Sequence, residues 1–244
     1  MSMKPFVIDL ETGPRPDATD FLPPVEAPIN FKDPEKIRAY IEERRAKQFA
    51  EAALSAATAR ILCVGTLRDG GEPQFIGDYD EGKLLRKTWL ELERRGADEV
   101  YVTFNGTRFD WPIMCRRSYA LGVPVPPWVQ RDGRWSPRSH CDLLTLWQLG
   151  DRQETISLDR LARLVGLPGK AGNGAQFAAL WLQNRPAALE YLANDLLLTR
   201  LCFDRMTLYG WPPTVRDFFT EEPISNPQPD QPPLSSQMLH GSPK

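Results

Sequence analysis

The sequence predicts an α/β domain in which a mixed β-sheet is flanked by helices. Three observations support this prediction. Short apolar runs with strand-like composition dominate the first half of the chain, amphipathic helical patterns alternate with them, and the C-terminal half is helical almost throughout. No internal repeat is visible, so a repeat architecture is not expected.

The first half of the chain supplies the sheet. The run Lys4–Leu10 is apolar on both of its faces, which is typical of a central strand. Asp33 followed by Pro34 is a helix start, with an acid at the N-cap and proline at the first helical position. Further strands are expected at residues 60–68, 74–77 and 99–104, and helices at about 33–54, 80–95 and 109–120.

The second half begins with a basic, proline- and tryptophan-rich segment at residues 124–140, which we expect to be a loop. Helices are expected from Ser157 to Gly166 and at residues 175–183 and 186–209. We predict one domain over residues 1–212, with a helical insertion at about 33–55. The Pro/Ser-rich remainder, residues 213–244, is expected to be a disordered tail.

Composition excludes several classes of protein. The formal net charge is −2, which argues against tight nonspecific binding over a long stretch of nucleic acid. No apolar run approaches the length of a transmembrane helix and no secretory signal is visible, so we expect a cytoplasmic protein without a membrane partner. The four cysteines are widely separated and form no CxxC or CxxH pair, so neither a zinc site nor a disulfide framework is expected.

Asp9 and Glu11 form the first candidate site, at the end of the first strand. Residues two apart in a strand point to the same face, so the two carboxylates project side by side. Like charges that close repel each other unless a cation lies between them. An exposed strand edge is the simpler explanation of such a pair, but the apolar surroundings of this strand argue against idle exposure.

Two later motifs contain further acids. Asp110 ends the segment Asn105-Gly106-Thr107-Arg108-Phe109-Asp110, at a junction between a strand and a helix, where an acid can also serve as a helix cap. Tyr191 and Asp195 are four residues apart on the last long helix and share one face of it. Leucines surround Asp195, so its carboxylate is expected to be partly buried and to need a partner.

Taken in order, these motifs resemble the DEDD superfamily of 3′–5′ exonucleases, which have the ribonuclease H-like, DnaQ-like fold. Tyr191, four residues before the last acid, is similar to the tyrosine-type DEDDy branch, and Glu190 stands where the other branch has histidine. The segment Ser157–Lys170 and the helix after Asp33 resemble predicted exonucleases related to the proofreading domain of B-family DNA polymerases. The resemblance extends over about residues 4–210.

The resemblance implies a chemistry for these residues. Asp9, Glu11, Asp110 and Asp195 would bind two divalent cations, Mg²⁺ or Mn²⁺, which hard oxygen ligands suit. Hydrolysis of the terminal phosphodiester would release a nucleoside 5′-monophosphate. Tyr191 would orient the attacking water more than deprotonate it, because a phenol with a reference pKa of about 10 is a poor base.

Substrate contacts are expected from residues near these acids and from the basic segment. Leu10 would pack on the terminal base, backbone amides of Thr12 and Gly13 would contact the terminal nucleotide, and Asn105 would bind water or substrate. In the basic segment, stacking and charge would hold a single strand. The alternative is a solvated loop whose tryptophans fold onto the domain. The candidate substrate-binding residues are Leu10, Thr12, Gly13, Asn105, Phe109, Trp128, Arg131 and Trp135.

Two other residues are expected to support the site. Asp142 follows an apparent strand end, where a structural role is expected. Lys170 lies in Gly-Leu-Pro-Gly-Lys-Ala, which lacks the glycine spacing and hydroxyl residue of a P-loop, so we expect it to contact a phosphate or an acid instead.

Three functions stay open at this point. The first is removal of nucleotides from the 3′ end of single-stranded DNA, with a role in proofreading or DNA repair. The second is the same chemistry on RNA. No sequence motif recognises a 2′-hydroxyl, so the sequence does not distinguish RNA from DNA. The third is an inactive ribonuclease H-like nucleic-acid-binding module. The expected partner is single-stranded nucleic acid, with DNA favoured, and the tail is a candidate for contacts with replication or repair proteins.

Overall fold

A five-stranded mixed sheet forms the centre of the domain, with its strands in the order β3-β2-β1-β4-β7. The structure is a computed structural model that describes residues 4–131, 134–135, 139–170 and 177–207, with only the backbone at 130–131 and 134–135. The strands are β1 (Lys4–Pro14), β2 (Ala59–Arg68), β3 (Gln74–Ile76), β4 (Glu99–Thr103), β5 (Gln130–Arg131), β6 (Arg134–Trp135) and β7 (His140–Asp142). The helices are α1 (Pro34–Glu51), α2 (Glu81–Glu93), α3 (Asp110–Ala120), α4 (Leu143–Gln148), α5 (Leu158–Leu164), α6 (Phe177–Gln183) and α7 (Arg185–Thr207).

Strand β1 occupies the centre of this sheet, as its two apolar faces predict. It pairs antiparallel with β2 and parallel with β4, while β7 continues the parallel side and β3 the antiparallel side. The strand is longer than expected, because its pairing with β2 continues to Pro14 through a register shift between Glu11 and Thr12. Such a bulge bends a strand and changes the direction of its side chains, often beside a functional site.

Alternation along β1 divides the domain into two helical layers. Phe6, Ile8 and Leu10 point into one core, where α2 and α3 pack. Val7 points to the opposite face, where α5 and α7 pack. Asp9 and Glu11 share the face of Val7, so they project towards the layer that contains α7.

Helix α1 begins where the sequence predicts, since the Asp33 side chain accepts a hydrogen bond from the backbone of Glu35 and Pro34 opens the helix. None of its residues is buried. The segment that contains this helix connects the end of β1 to the start of β2. The Thr12 hydroxyl on β1 holds the end of this segment by donating a hydrogen bond to the carbonyl of Ala53 at 2.7 Å. The helix therefore lies outside the two layers.

The basic segment is more regular than expected. Instead of a continuous loop, its backbone forms a short antiparallel hairpin in which β5 pairs with β6. No helix among the described residues is long and apolar enough to cross a membrane. The chain divides into two units, Met1–Tyr209 and Gly210–Lys244, and only the first is described here. The predicted domain end near residue 212 and the predicted tail, residues 213–244, lie outside the described residues.

Candidate metal centre

Three carboxylates from two distant parts of the chain meet on one face of the sheet. Asp9 and Glu11 project from β1, and Asp195 projects from α7, which packs across that face. One carboxylate oxygen from each lies within 4.8 Å of the others. Asp195 is almost fully buried, and the two β1 acids are half-buried. The three acids can therefore act as ligands of a common cation.

Asp110 lies near these three acids but is not one of the acids whose oxygens meet within 4.8 Å. It is the first residue of α3 and is buried, with 3% of its surface exposed. Its carboxylate accepts a hydrogen bond of 3.2 Å from the backbone N–H of Leu10, between the two β1 acids. Phe109 holds the N-cap position of α3, so the alternative role of Asp110 as a helix cap is wrong.

The clustered negative charge changes how these acids ionise. Burial, followed by the charge of Asp195, raises the pKa of Asp9 to about 7. Burial and then Asp9 raise the pKa of Glu11 to about 9. Burial and Asp9 likewise raise the pKa of Asp110 well above its usual value. Full ionisation of the group at neutral pH therefore requires additional positive charge.

Lys170 supplies part of that charge. Its ammonium nitrogen lies 2.5 Å from the Asp195 carboxylate and donates a 3.0 Å hydrogen bond to the hydroxyl of Tyr191. Its backbone N–H donates to the carboxylate of Asp159, in the first turn of α5, at 2.8 Å. This contact confirms the expectation that Lys170 meets an acid. Burial and Asp195 raise the pKa of Tyr191, so its phenol is protonated at neutral pH.

A family match gives this geometry its context. The family described as "Predicted 3'-5' exonuclease related to the exonuclease domain of PolB" matches residues 39–214, well over half of the chain. The chain belongs to this family. The family resemblance drawn from the motifs is thereby confirmed. The matched segment of this PolB-related exonuclease includes Asp110, Tyr191 and Asp195 but begins after β1, so Asp9 and Glu11 rest on the geometry.

Known polymerases are similar to parts of this PolB-related exonuclease. DNA polymerase 1 of Aeropyrum pernix is 29% identical over 147 residues, which cover 55% of this chain and 14% of the polymerase. The solved family B DNA polymerase from the hyperthermophilic archaeon Pyrobaculum calidifontis matches with a TM-score of 0.52 and 19% identity, over 84% of this chain and 24% of the polymerase. The chain thus spans less than a quarter of the length of either polymerase. The structural match confirms the expected ribonuclease H-like fold.

Asp142 fixes the loop that leads to Asp110. It lies at the end of β7, and its two carboxylate oxygens accept hydrogen bonds from the backbone N–H groups of Asn105 at 2.9 Å and Thr107 at 2.8 Å. The same carboxylate caps α4 by accepting from the backbones of Leu144 and Thr145. Asn105 adopts a left-handed conformation with φ of 65°, which this anchoring stabilises.

Three candidate substrate residues on β1 have structural roles. The side chain of Leu10 is buried in the core with 3% exposure, so the expected packing of Leu10 on a base is not supported. The hydroxyl of Thr12 is bound to Ala53. A Cβ on Gly13 would lie 2.9 Å from the Leu62 side chain and 3.2 Å from the Cβ of Ala178, so any larger residue there would displace its neighbours. Contact of the Thr12 and Gly13 backbone amides with a nucleotide stays a prediction.

Phe109 and Trp128 lie towards the other core. Phe109 packs against the cluster beneath α2 and α3. The ring of Trp128 stacks on Tyr101 with centroids 5.8 Å apart and meets Trp111 at 6.4 Å. Trp128 therefore follows the structural alternative, a tryptophan folded onto the domain, and its expected grip on substrate is not supported. The side chains of Arg131 and Trp135 lie outside the described residues.

The sequence did not indicate how Lys170 and Asp142 act. Lys170 meets Asp195 only because the loop after α5 folds over α7, a tertiary contact without a local pattern. Asp142 accepts four backbone hydrogen bonds. Two of them cap α4, and an acid before an apolar run predicts such a cap. The other two reach the loop after β4, and no local sequence pattern predicts that contact.

Proposed function

We propose that this PolB-related exonuclease removes nucleoside 5′-monophosphates from the 3′ end of single-stranded DNA with the help of two divalent cations. The observation that supports the proposal is the convergence of Asp9, Glu11 and Asp195, whose ligand oxygens lie within 4.8 Å of one another. Asp110 adds a fourth acid, close enough to contribute to the raised pKa of Glu11. The DNA polymerases among its relatives favour DNA over RNA as the substrate.

The donor set fits Mg²⁺ or Mn²⁺. All of its candidate ligands are carboxylate oxygens, the hard donors that these ions prefer, and no thiolate or imidazole among the described residues joins the group. Without a cation, the clustered negative charge raises the pKa values of Asp9 and Glu11, as expected of a site at which a bound cation balances that charge. When bound, two divalent ions supply a nucleophile at neutral pH and stabilise the charge on the attacking and leaving oxygens.

Tyr191 and Lys170 have separate roles in the proposal. Because its pKa is raised, Tyr191 keeps its proton at neutral pH and orients the attacking water as a hydrogen-bond donor rather than removing a proton from it. Lys170 holds that hydroxyl in place by donating to it, and its ammonium group contributes positive charge beside Asp195. Both side chains lie on the face of the sheet that bears the acids.

The test uses single-stranded DNA and RNA of the same sequence, labelled at either the 3′ or the 5′ end, with Mg²⁺, Mn²⁺ or EDTA. We expect stepwise shortening of DNA from the 3′ end that is lost in EDTA and in Asp9→Asn. The matched control is Asp20→Asn, an exposed aspartate outside the centre, which should retain full activity. Activity that survives EDTA or Asp9→Asn would contradict the proposal.

The same experiment separates the two alternative functions. Preferential shortening of the RNA would identify a 3′–5′ exoribonuclease. Binding of both polymers without cleavage under any metal would identify an inactive nucleic-acid-binding module. The domain limits, the cytoplasmic location and recruitment of replication or repair proteins by residues 213–244 stay predictions.

A further inference from the structure

An exposed cluster of two aromatic rings and one arginine lies beside the metal centre. This aromatic–arginine cluster consists of Tyr79, Trp181 and Arg185. The Arg185 guanidinium lies 4.1 Å from the centroid of the Trp181 ring and 5.7 Å from that of Tyr79. Tyr79 is 87% exposed, and Arg185 is exposed as well. A tyrosine so exposed contributes little to the core, so folding alone does not explain the arrangement.

Glycine makes room for this cluster at the end of β3. A Cβ on Gly77 would lie 3.2 Å from the Trp181 ring and 3.5 Å from the Arg185 guanidinium. The two side chains therefore cover the backbone of Gly77 directly. Without a side chain at this position, the guanidinium of the exposed Arg185 can lie over the indole.

The aromatic–arginine cluster is connected to the metal centre by packed rings. Trp181 stacks on Phe177 with centroids 5.7 Å apart and an interplanar angle of 23°, and Phe177 meets the ring of Tyr191 at 6.1 Å. Tyr191 in turn reaches Lys170 in the metal centre. One row of packed rings, with Phe177 buried at its centre, therefore links the candidate water-orienting tyrosine to the exposed arginine.

Strand registers place the cluster at the same end of the sheet as the acids. Glu11 pairs with Cys63 on β2, and the neighbouring Val64 pairs with Ile76 on β3. The end of β3 is therefore level with Glu11 and two strands away, a distance of about 10 Å at the usual strand spacing. A polymer held at the acids can reach the cluster without crossing the domain.

The charge of this surface suits an anionic polymer. In the described part of the chain, neither Arg60 nor Arg185 has a carboxylate partner, and Arg60 donates to the backbone carbonyl of Tyr79 at 3.2 Å. The neighbouring Asp78 is bound by Lys87 at 2.9 Å. Two guanidinium groups without a carboxylate partner among the described residues thus lie beside the exposed Tyr79 ring, on a chain whose net charge is −2.

We propose that the aromatic–arginine cluster is a second subsite for the nucleic-acid strand. It would hold nucleotides upstream of the terminal one, with a base on Tyr79 or on the rim of the Trp181–Arg185 stack and a phosphate on Arg185. Stacking on aromatic rings combined with arginine charge is how single strands are held without sequence preference. The proposal rests on the proposed function, since it assigns the path of the strand that the metal centre shortens.

Binding is measured by fluorescence anisotropy with a labelled single strand about twelve nucleotides long, within the usual range of single-strand site sizes. EDTA prevents metal-dependent cleavage. We expect Arg185→Glu and Tyr79→Ala each to weaken binding by about tenfold. For Arg185→Glu, the slope of log affinity against log salt should decrease by about 0.7, the value for one phosphate contact on a single strand.

Arg116→Glu is the matched control. Arg116 is exposed on α3, on the opposite face of the sheet, and its substitution makes the same change in net charge. It should bind the strand as the wild type does. Equal affinities for wild type, Arg185→Glu and Tyr79→Ala, or equal weakening by Arg116→Glu, would overturn the subsite. A wild type that binds no single strand would overturn it too.

Hydrolysis separates the subsite from the proposed function. Thymidine 5′-monophosphate p-nitrophenyl ester is small enough to occupy the metal centre alone. With Mn²⁺, Arg185→Glu should lower kcat/KM about tenfold on the oligonucleotide and leave the ester unchanged. An equal loss on both substrates contradicts the subsite. If the wild type hydrolyses neither substrate, the proposed function fails, and the anisotropy series alone decides the subsite.

Discussion

Lys170 and Asp195 form an ion pair inside the candidate metal centre, with the ammonium nitrogen 2.5 Å from the carboxylate oxygen. The lysine side chain is 21% exposed and that of the aspartate 6%. Two charges this shielded from water interact more strongly than a surface pair does. In the metal-free protein, Lys170 is therefore the internal cation that balances part of the acidic cluster.

Removing this cation should destabilise the metal-free protein more than the metal-bound one. Lys170→Met leaves the Asp195 carboxylate without its charged partner, at an expected cost of about 1–3 kcal/mol in EDTA. Saturating Mn²⁺ should recover most of the loss, because bound cations replace the missing charge. Urea unfolding with EDTA and with Mn²⁺ measures both quantities. Lys83→Met, which removes an exposed lysine, should change neither. An equal loss under both conditions would contradict the role assigned to Lys170.

Asp142 should affect catalysis through the position of Asp110. Asp142→Ala removes the acceptors of Asn105 and Thr107, so the loop before α3 loosens and kcat falls on the order of 10–100-fold, with KM nearly unchanged. Stability should fall by about 1–3 kcal/mol, because a helix cap is lost as well.

Ser157→Ala provides the comparison for Asp142→Ala. It removes the side-chain cap of α5, where the Ser157 hydroxyl accepts from the backbone of Arg160. We expect it to lower stability by about 1 kcal/mol and to leave kcat intact. If both variants keep wild-type kcat at a temperature where they are folded, Asp142 has only a structural role.

The stability of the metal-free protein should fall as pH rises from 7 to 9. The pKa of Glu11 is raised to about 9, so the unfolded state releases its proton at lower pH than the folded state does. Ionisation in this window therefore favours unfolding, by up to about 1.4 kcal/mol per pH unit for one group. Unfolding in EDTA measures the slope, and Glu11→Gln should flatten it. A wild-type slope no steeper than that of Glu11→Gln would rule out this titration.

His140 should make the protein sensitive to acid. Trp111 donates its indole N–H to the Nε2 atom of His140 at 3.2 Å, so that nitrogen must be an unprotonated acceptor. Burial lowers the pKa of His140 to about 4. Protons bind the unfolded state first, so His140 contributes a loss of stability on the order of 2–3 kcal/mol as pH falls from about 6.5 towards 4, against the opposite contributions of Asp9 and Glu11. His140→Gln should lose less stability over this range when unfolding is measured by circular dichroism. A loss as large in the variant would mean that other groups cause the acid sensitivity.

Local patterns were sufficient for the scaffold. The apolar run around Phe6 predicted a central strand, Asp33-Pro34 predicted the start of α1, and the spacing of Asp9 and Glu11 placed both on one face. Each of these features is set by residues close together in the sequence. Residue propensities and hydrophobic periodicity are therefore sufficient to predict them.

Features that depend on tertiary contacts were less accessible. The side chain of Trp128 lies among other aromatic rings rather than towards solvent, which its proline-rich surroundings did not indicate. The contact between Lys170 and Asp195 requires the loop after α5 to fold over α7. The exposed side chains of Tyr79 and Arg185 are far apart in sequence and meet because the start of α7 lies beside the segment after β3.

The hydrogen bond from the Leu10 backbone to Asp110 has an evolutionary consequence. Since the donor is a main-chain amide, any residue except proline at position 10 keeps it. Position 10 can therefore accept other apolar residues that fit the core. The spacing between the acids of β1 and Asp110 of α3 is retained in each case. Mutational scanning at this position would therefore report on core packing. Apart from proline, it would not detect the hydrogen bond between strand and helix.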